Sequence, residues 1–255
     1  MTRFSANLGF LWQALSLPDA IFAAKKAGFD AVECHWPYDI PAKTVKKALR
    51  ETDLTMLAFN TARGDSAAGD NGLCALPDRI DDARQAIDQA IAYARIINTP
   101  NIHVMAGAAQ GERAHKTFVE NLRYACARAA RHGITILIEP LNHYDAPDYF
   151  LQTSDQAKAI IVEIDLPNLK LMFDCYHIQI MEGDITRRLK MLLPIIGHIQ
   201  IAAVPSRNEP DGGELDYGHV LKVLHDLGYD APLGAEYRPA RDLSSGLEWM
   251  DKFRG

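Results

Sequence analysis

Four side chains far apart in the chain have the types that a metal-assisted acid-base site needs. They are Glu139 in Leu-Ile-Glu-Pro, Asp174 in Met-Phe-Asp-Cys-Tyr-His, Gln200 in His-Ile-Gln-Ile-Ala and Glu236 in Gly-Ala-Glu-Tyr-Arg-Pro. Each follows or closes a short apolar run, and successive members are 35, 26 and 36 residues apart. Three carboxylates facing one another in a narrow mouth repel and raise each other's pKa unless a cation lies between them, so the set points to a divalent ion. Oxygen donors without cysteine favour a hard ion, Mg²⁺ or Mn²⁺, over zinc. A metal bridging two adjacent oxygens of a hydroxy-carbonyl compound polarises the carbonyl, while a carboxylate on each side removes a proton from one carbon and returns it to the next. That is aldose-ketose isomerisation or epimerisation through an enediolate, with Glu139 and Glu236 as the paired acid-base groups, each also a ligand.

Other residues fall around the same mouth. His177 stands three residues after Asp174, where an imidazole can orient that carboxylate or donate to a substrate oxygen. Arg207 and Arg238 are candidate forks for a substrate carboxylate, because guanidinium pairs with carboxylates bidentately. His103, Asn60, Glu33 and Asn7 end or line earlier runs, either as walls of a pocket or as hydrogen-bonded rim residues. Covalent catalysis is not indicated: G-x-S-x-G is absent, and Cys34, Cys74, Cys126 and Cys175 lie in no C-x-x-C or nucleophile motif. They read as reduced packing thiols.

For such residues to meet, the chain must bring distant strand ends to one opening. Eight β-rich runs are legible, at residues 4–8, 31–34, 55–59, 101–105, 135–138, 170–173, 198–201 and 233–235. Amphipathic segments at 18–27, 43–51, 78–97, 117–131, 154–163, 217–227 and 243–253 alternate with them, as strand-helix units of a parallel sheet require. Eight units average about 32 residues, which predicts one (β/α)8 TIM barrel over residues 1–255 with polar strand C-termini converging on one face. Gly28, Gly133 and Gly228 each precede an apolar strand that ends near a glutamate, the repeat of one helix-glycine-strand plan. Ser16 or Leu17 before Pro18, and Thr153-Ser154 before Gln156, read as helix starts. A doubly wound sheet is the runner-up, but residues 7–12 carry neither dinucleotide nor P-loop glycines. Two long connections, 61–77 and 204–216, lie on the strand-to-helix side, and the first is a candidate lid.

The composition, 48% hydrophobic and 24% charged, is that of an ordinary globular chain. A net charge of -6 argues against nucleic-acid binding. No apolar stretch reaches membrane length and no signal-peptide core opens the chain, so a cytoplasmic protein without membrane contact is expected. The expected partner is a small hydroxy-carbonyl acid; oligomeric state is left open, a homo-oligomer included.

At these residues the chain closely resembles the hydroxypyruvate isomerase family, a branch of the xylose-isomerase-like TIM barrels. The resemblance runs almost end to end. It is carried by Phe4-Ser-Ala-Asn-Leu-Gly9, Trp36-Pro-Tyr-Asp39, Gly64-Asp-Ser-Ala-Ala-Gly69, Leu76-Pro-Asp-Arg79, Asn121-Leu-Arg-Tyr-Ala125 and Ile138-Glu-Pro-Leu-Asn-His143. Asp174-Cys-Tyr-His177, Met181-Glu-Gly183, Gly197-His-Ile-Gln-Ile-Ala202, Gly213-Glu-Leu-Asp-Tyr217 and Glu236-Tyr-Arg-Pro239 continue it. It implies interconversion of hydroxypyruvate and 2-hydroxy-3-oxopropanoate (tartronate semialdehyde), with Glu139 and Glu236 as proton donor and acceptor and Glu139, Asp174, Gln200 and Glu236 at the metal positions. Related sugar epimerases usually place a histidine where this chain has Gln200, and related isomerases show Lys where it has Arg238. The Glu-Pro-Leu-Asn-His segment is more like hydroxypyruvate isomerases than 2-oxo-tetronate isomerases. A 2-oxo-tetronate isomerase or ketose epimerase is the alternative on the same site, and a non-catalytic sugar-acid-binding barrel the alternative of another class. A DNA-repair endonuclease on this barrel would need a histidine-rich zinc cluster and a basic groove, which the composition disfavours.

Overall fold

In a computed structural model that describes residues 1–243 and 246–254, the eight apolar runs form strands β1 (Phe4–Asn7), β2 (Ala31–Glu33), β3 (Ala58–Asn60), β4 (Asn101–His103), β5 (Thr135–Ile138), β6 (Leu169–Asp174), β7 (Ile196–Ile201) and β8 (Leu233–Ala235). Helices α1 (Leu17–Lys26), α2 (Ala42–Thr52), α3 (Ile80–Ile97), α4 (Gly111–Ala130), α5 (Ser154–Ile164), α6 (Cys175–Met181), α7 (Ile185–Leu192), α8 (Tyr217–Asp226) and α9 (Glu248–Arg254) connect them or follow the last strand. The strands hydrogen-bond in the order β2-β1-β8-β7-β6-β5-β4-β3, all pairs parallel. Backbone hydrogen bonds from Val32 N to Thr55 O, Leu57 N to Val32 O and Cys34 N to Ala58 O bring β2 against β3 and close the ring. The architecture is the expected (β/α)8 barrel.

Local chemistry sets the boundaries. The Ser16 hydroxyl accepts from Asp19 N at the start of α1, and Thr153 accepts from Gln156 N at the start of α5, as their positions before Pro18 and Gln156 suggest. The Asp174 carboxylate accepts from Tyr176 N and starts α6 directly at the end of β6, a helix that the apolar Cys-Tyr-His-Ile-Gln-Ile run does not announce. Helix α4 starts at Gly111, ahead of the predicted Thr117, because polar residues 110–116 carry no apolar period of their own. The last predicted helix, 243–253, is observed from Glu248; residues 244 and 245 lie outside the described residues.

Most buried apolar side chains pack between the sheet and the helices. Inside the barrel, Ala58, Leu137 and Met172 form a small separate cluster. Strand side chains alternate between faces, so Asn60, Glu139 and Asp174, two residues further along, point inward one layer nearer the C-terminal mouth. The long 61–77 connection is docked rather than free at both ends. Thr61 N donates to His103 O, Cys74 N to Met105 O and Ala75 N to Ala106 O. Gly72 crosses Gly107 so closely that a Cβ on Gly107, whose φ is +93°, would lie 2.2 Å from Gly72 O. Only glycine serves at both requirements of that crossing. What remains exposed of the candidate lid is its tip, residues 64–69. Among the described residues no helix is long and apolar enough to cross a membrane.

Candidate active site

The structure brings Glu139, Asp174, His177 and Glu236 together: one ligand atom from each lies within 4.8 Å of the others, and all four residues are buried. Glu139 follows β5, Asp174 ends β6, His177 lies in the first turn of α6 and Glu236 follows β8.

Glu236 is the most heavily anchored. Its Oε1 accepts from Asn7 Nδ2 at 2.8 Å and lies 3.1 Å from His35 Nε2, while Oε2 accepts from Arg207 Nη2 at 2.6 Å. Burial alone would push this carboxyl up, but the Arg207 guanidinium and His35 outweigh it and hold Glu236 well below the usual carboxylate range. Glu139 goes the other way: burial and the negative charges of Glu236 and Asp174 raise it well above that range. Its Oε2 lies 3.4 Å from His103 Nδ1. Burial also raises Asp174, to about 8, against the pull of Arg207. Two carboxyls pushed in opposite directions within one mouth are what separate base and acid roles require.

His103 and His177 are held neutral. Burial lowers His103 to about 4 and, with Arg207 adding to it, His177 to about 3. His177 Nδ1 accepts from the backbone N–H of Asn142 at 3.0 Å, so in the neutral ring the proton belongs on Nε2. That N–H lies 3.6 Å from Asp174 Oδ2 and 4.0 Å from Glu139 Oε1.

Arg207 supplies the site's fixed positive charge. Its Nη2 also lies 3.5 Å from Asp174 Oδ2, its Nη1 donates to Asp145 at 3.3 Å, and the guanidinium carbon sits 4.8 Å from the ring centres of both Phe10 and Tyr176. The residue has φ +57°, a conformation that costs a non-glycine residue about 1–2 kcal/mol. Its guanidinium is thus committed to the protein's own carboxylates. Arg238 is exposed on the rim, 5.8 Å from the Phe10 ring centre. Asn60 Oδ1 lies 3.2 Å from His103 Nδ1. Glu139, His177, Arg207, Glu236, His103, Asn60 and Arg238 all line a cavity of about 150 Å³, walled further by Phe10, Trp36 and Leu141. Gln200, buried beside Asp174 in the β6–β7 register, does not line it.

The donor set fits a hard cation. Glu139 Oε1 and Asp174 Oδ2 in the cluster, and Gln200 Oε1 on the strand beside Asp174, are buried oxygens with no hydrogen-bond partner among the described residues, and orphaned buried acceptors are what an ion satisfies. His35, Asn142 and Asp145 belong to the site and are missed by sequence reasoning. His35 follows the end of β2 by two residues, so the strand-end rule that picks out Glu139 could have found it. Asn142 and Asp145 lie in a loop with no period to mark them.

Comparison with known proteins agrees with the fold. The family model described as xylose isomerase-like TIM barrel matches residues 21–253. A 2-oxo-tetronate isomerase from Cupriavidus necator is 46% identical over 259 residues, covering 100% of both chains. A hydroxypyruvate isomerase from Escherichia coli is 37% identical over 258 residues, again covering 100% of both. The crystal structure of a Brucella melitensis protein titled AP endonuclease, family 2, superposes with a TM-score of 0.96 at 38% identity and full coverage of both chains. With a matched model across most of its length and relatives of this identity, the chain belongs to the xylose isomerase-like TIM barrel family, on the branch that holds the hydroxypyruvate and 2-oxo-tetronate isomerases.

Proposed function

We propose that the protein is an isomerase that interconverts hydroxypyruvate and 2-hydroxy-3-oxopropanoate. The observation that carries this reading is the meeting of Glu139 and Glu236 with Asp174 and His177 inside 4.8 Å, at the mouth of a cavity of about 150 Å³. That volume is below the 300–1,000 Å³ of ordinary ligand pockets, which suits a short acid.

The Glu236 carboxylate, ionised and held by Asn7, His35 and Arg207, takes the proton from C3 of hydroxypyruvate. The electron pair left behind makes the enediolate, and Glu139, the facing carboxyl of the cluster, delivers a proton to C2. The proton on the C3 oxygen passes to the C2 oxygen, and solvent takes the proton from Glu236 and replaces the one Glu139 has given, so substrate and both carboxyls end in balance. The His177 Nε2–H faces the two carboxylates and can donate to a developing oxyanion. Arg238 on the rim is the fork for the substrate carboxylate, while Arg207 stays paired with the cluster's carboxylates. Glu139, Asp174, Gln200 and Glu236 would hold Mg²⁺ or Mn²⁺, which supplies carbonyl polarisation and charge stabilisation when bound.

One observation favours a second reading, a 2-oxo-tetronate isomerase on the same residues: the relative at 46% identity bears that name. The endonuclease title of the Brucella melitensis structure is not carried over, since the chain's net charge is -6 and its cluster contains a single histidine. Purified protein incubated with hydroxypyruvate or a 2-oxo-tetronate, with EDTA or with added Mn²⁺, separates the readings. Turnover of hydroxypyruvate, suppressed by EDTA and restored by Mn²⁺, is expected; turnover of the four-carbon acid alone overturns the substrate assignment.

A further inference from the structure

Next to the carboxylates the barrel buries a second polar group that the proposed reaction does not use. Glu33, the last residue of β2, places Oε2 2.7 Å from His198 Nε2 and 3.4 Å from Gln200 Nε2. All three residues are buried. They pack against Gly234 on β8, where a Cβ would lie 2.2 Å from Glu33 Oε1, 2.7 Å from Gln200 Cγ and 2.9 Å from His198 Nε2. Gln200 is in register with Asp174 on one side and Gly234 on the other, so it stands between the Glu33–His198 pair and the carboxylate cluster.

A side-chain amide carries its donor and acceptor on opposite arms, whereas an ionised carboxylate only accepts. With Nε2 turned to Glu33, the Gln200 oxygen is directed elsewhere, and that Oε1 is buried with no hydrogen-bond partner among the described residues. An amide with no such anchor samples both orientations before the ion arrives, and the one that turns its NH₂ arm inward repels a cation.

We propose that Glu33, itself held by His198, is a positioning residue that fixes the Gln200 amide so that its oxygen is offered to the divalent cation. The inference rests on the metal-assisted reading under Proposed function and extends it to a residue outside the ligand set. Groups that orient a metal ligand in this way are worth about 10- to 100-fold in metal affinity.

The test is a double-mutant cycle read by the Kd of Mn²⁺, from the electron paramagnetic resonance signal of the free ion, on the full-length protein. Glu33→Gln and Gln200→Met are each expected to raise the Kd by about tenfold or more, and the double variant to match Gln200→Met alone. A Glu33→Gln Kd within about twofold of wild type, while Gln200→Met weakens binding, overturns the proposal. So does a Glu33→Gln effect that persists undiminished in the Gln200→Met background, since loss of charge alone would act there too. If wild type binds Mn²⁺ no better than Gln200→Met, the assignment of Gln200 as a ligand fails and the proposal with it, an outcome distinct from the first two. Gly234→Ala, which alters no charge and crowds the same three side chains, keeps the test open should Glu33→Gln not fold. Weaker Mn²⁺ binding is expected, and unchanged affinity overturns the proposal.

Discussion

Glu236→Gln and Glu139→Gln are each expected to lower kcat on hydroxypyruvate roughly 100- to 10,000-fold at saturating Mn²⁺, the range that a positioned general acid or base contributes. The amide is nearly isosteric, so the cavity keeps its shape, but it can neither accept the proton nor return it. For Glu236 the substitution also disturbs an anchored carboxylate, since one of its oxygens meets Asn7 and His35 and the other Arg207. For Glu139 it removes the carboxyl that faces Glu236 and Asp174 in the cluster. The two groups act in one transfer, so the double variant is expected to be little worse than the poorer single one. Steady-state kinetics beside circular dichroism checks this. A folded variant that keeps kcat within about twofold of wild type removes that residue from the proton path, because so small a change is far below a general-acid or base contribution.

Arg207→Met is expected to cost about 3–5 kcal/mol of stability in EDTA at pH 7, because removing one partner of a buried pair leaves uncompensated charge behind. For a chain of this size that is a fall in Tm on the order of 10 °C. The guanidinium is held by the 2.6 Å bond to Glu236, the 3.5 Å approach to Asp174 and two aromatic faces, and methionine keeps only the apolar part of those contacts. The pH dependence has a definite sign. Glu236 has a folded pKa below its ordinary 4.5, so its contribution is fully present above 4.5 and is lost as pH falls through the lower folded value. The Tm gap between wild type and Arg207→Met is therefore widest near neutrality and narrows on acidification. Added Mn²⁺ is expected to recover part of the loss, since a bound cation again compensates the carboxylates. Differential scanning calorimetry across pH reads all three, and a variant as stable as wild type at pH 7 would show that Arg207 is not the counter-charge of the cluster.

The barrel and its mouth were legible because both rest on repetition. A left-handed glycine, an apolar strand and a glutamate recur at Gly28, Gly133 and Gly228, and those glycines have φ of +86°, +66° and +77°. The strand-end rule then places Glu139, Asp174 and Glu236 on one face without any knowledge of tertiary contacts. The reading is less complete where one residue does two jobs. Asp174 ends a strand and caps the helix that follows, and the apolar run after it looks like more strand, so α6 is not visible beforehand although His177 is. Arg207 reads as a substrate fork, yet its guanidinium meets Glu236, Asp174 and Asp145, because a residue at positive φ in a loop points where no periodicity can say. The Glu33–His198 pair joins strands separated by 165 residues, and no local pattern links them.

Isomerisation of hydroxypyruvate in deuterium oxide tests the central claim most directly. Two carboxyls that take a proton from C3 and deliver another to C2 must introduce solvent deuterium at C2 of the product. Nuclear magnetic resonance of the product is expected to show that label with wild type, and with Glu236→Gln labelled product formed at least about 100-fold more slowly. Product formed at the wild-type rate with its carbon-bound hydrogen wholly retained would contradict the account, since it requires direct transfer between the carbons and leaves Glu139 and Glu236 without a proton to carry.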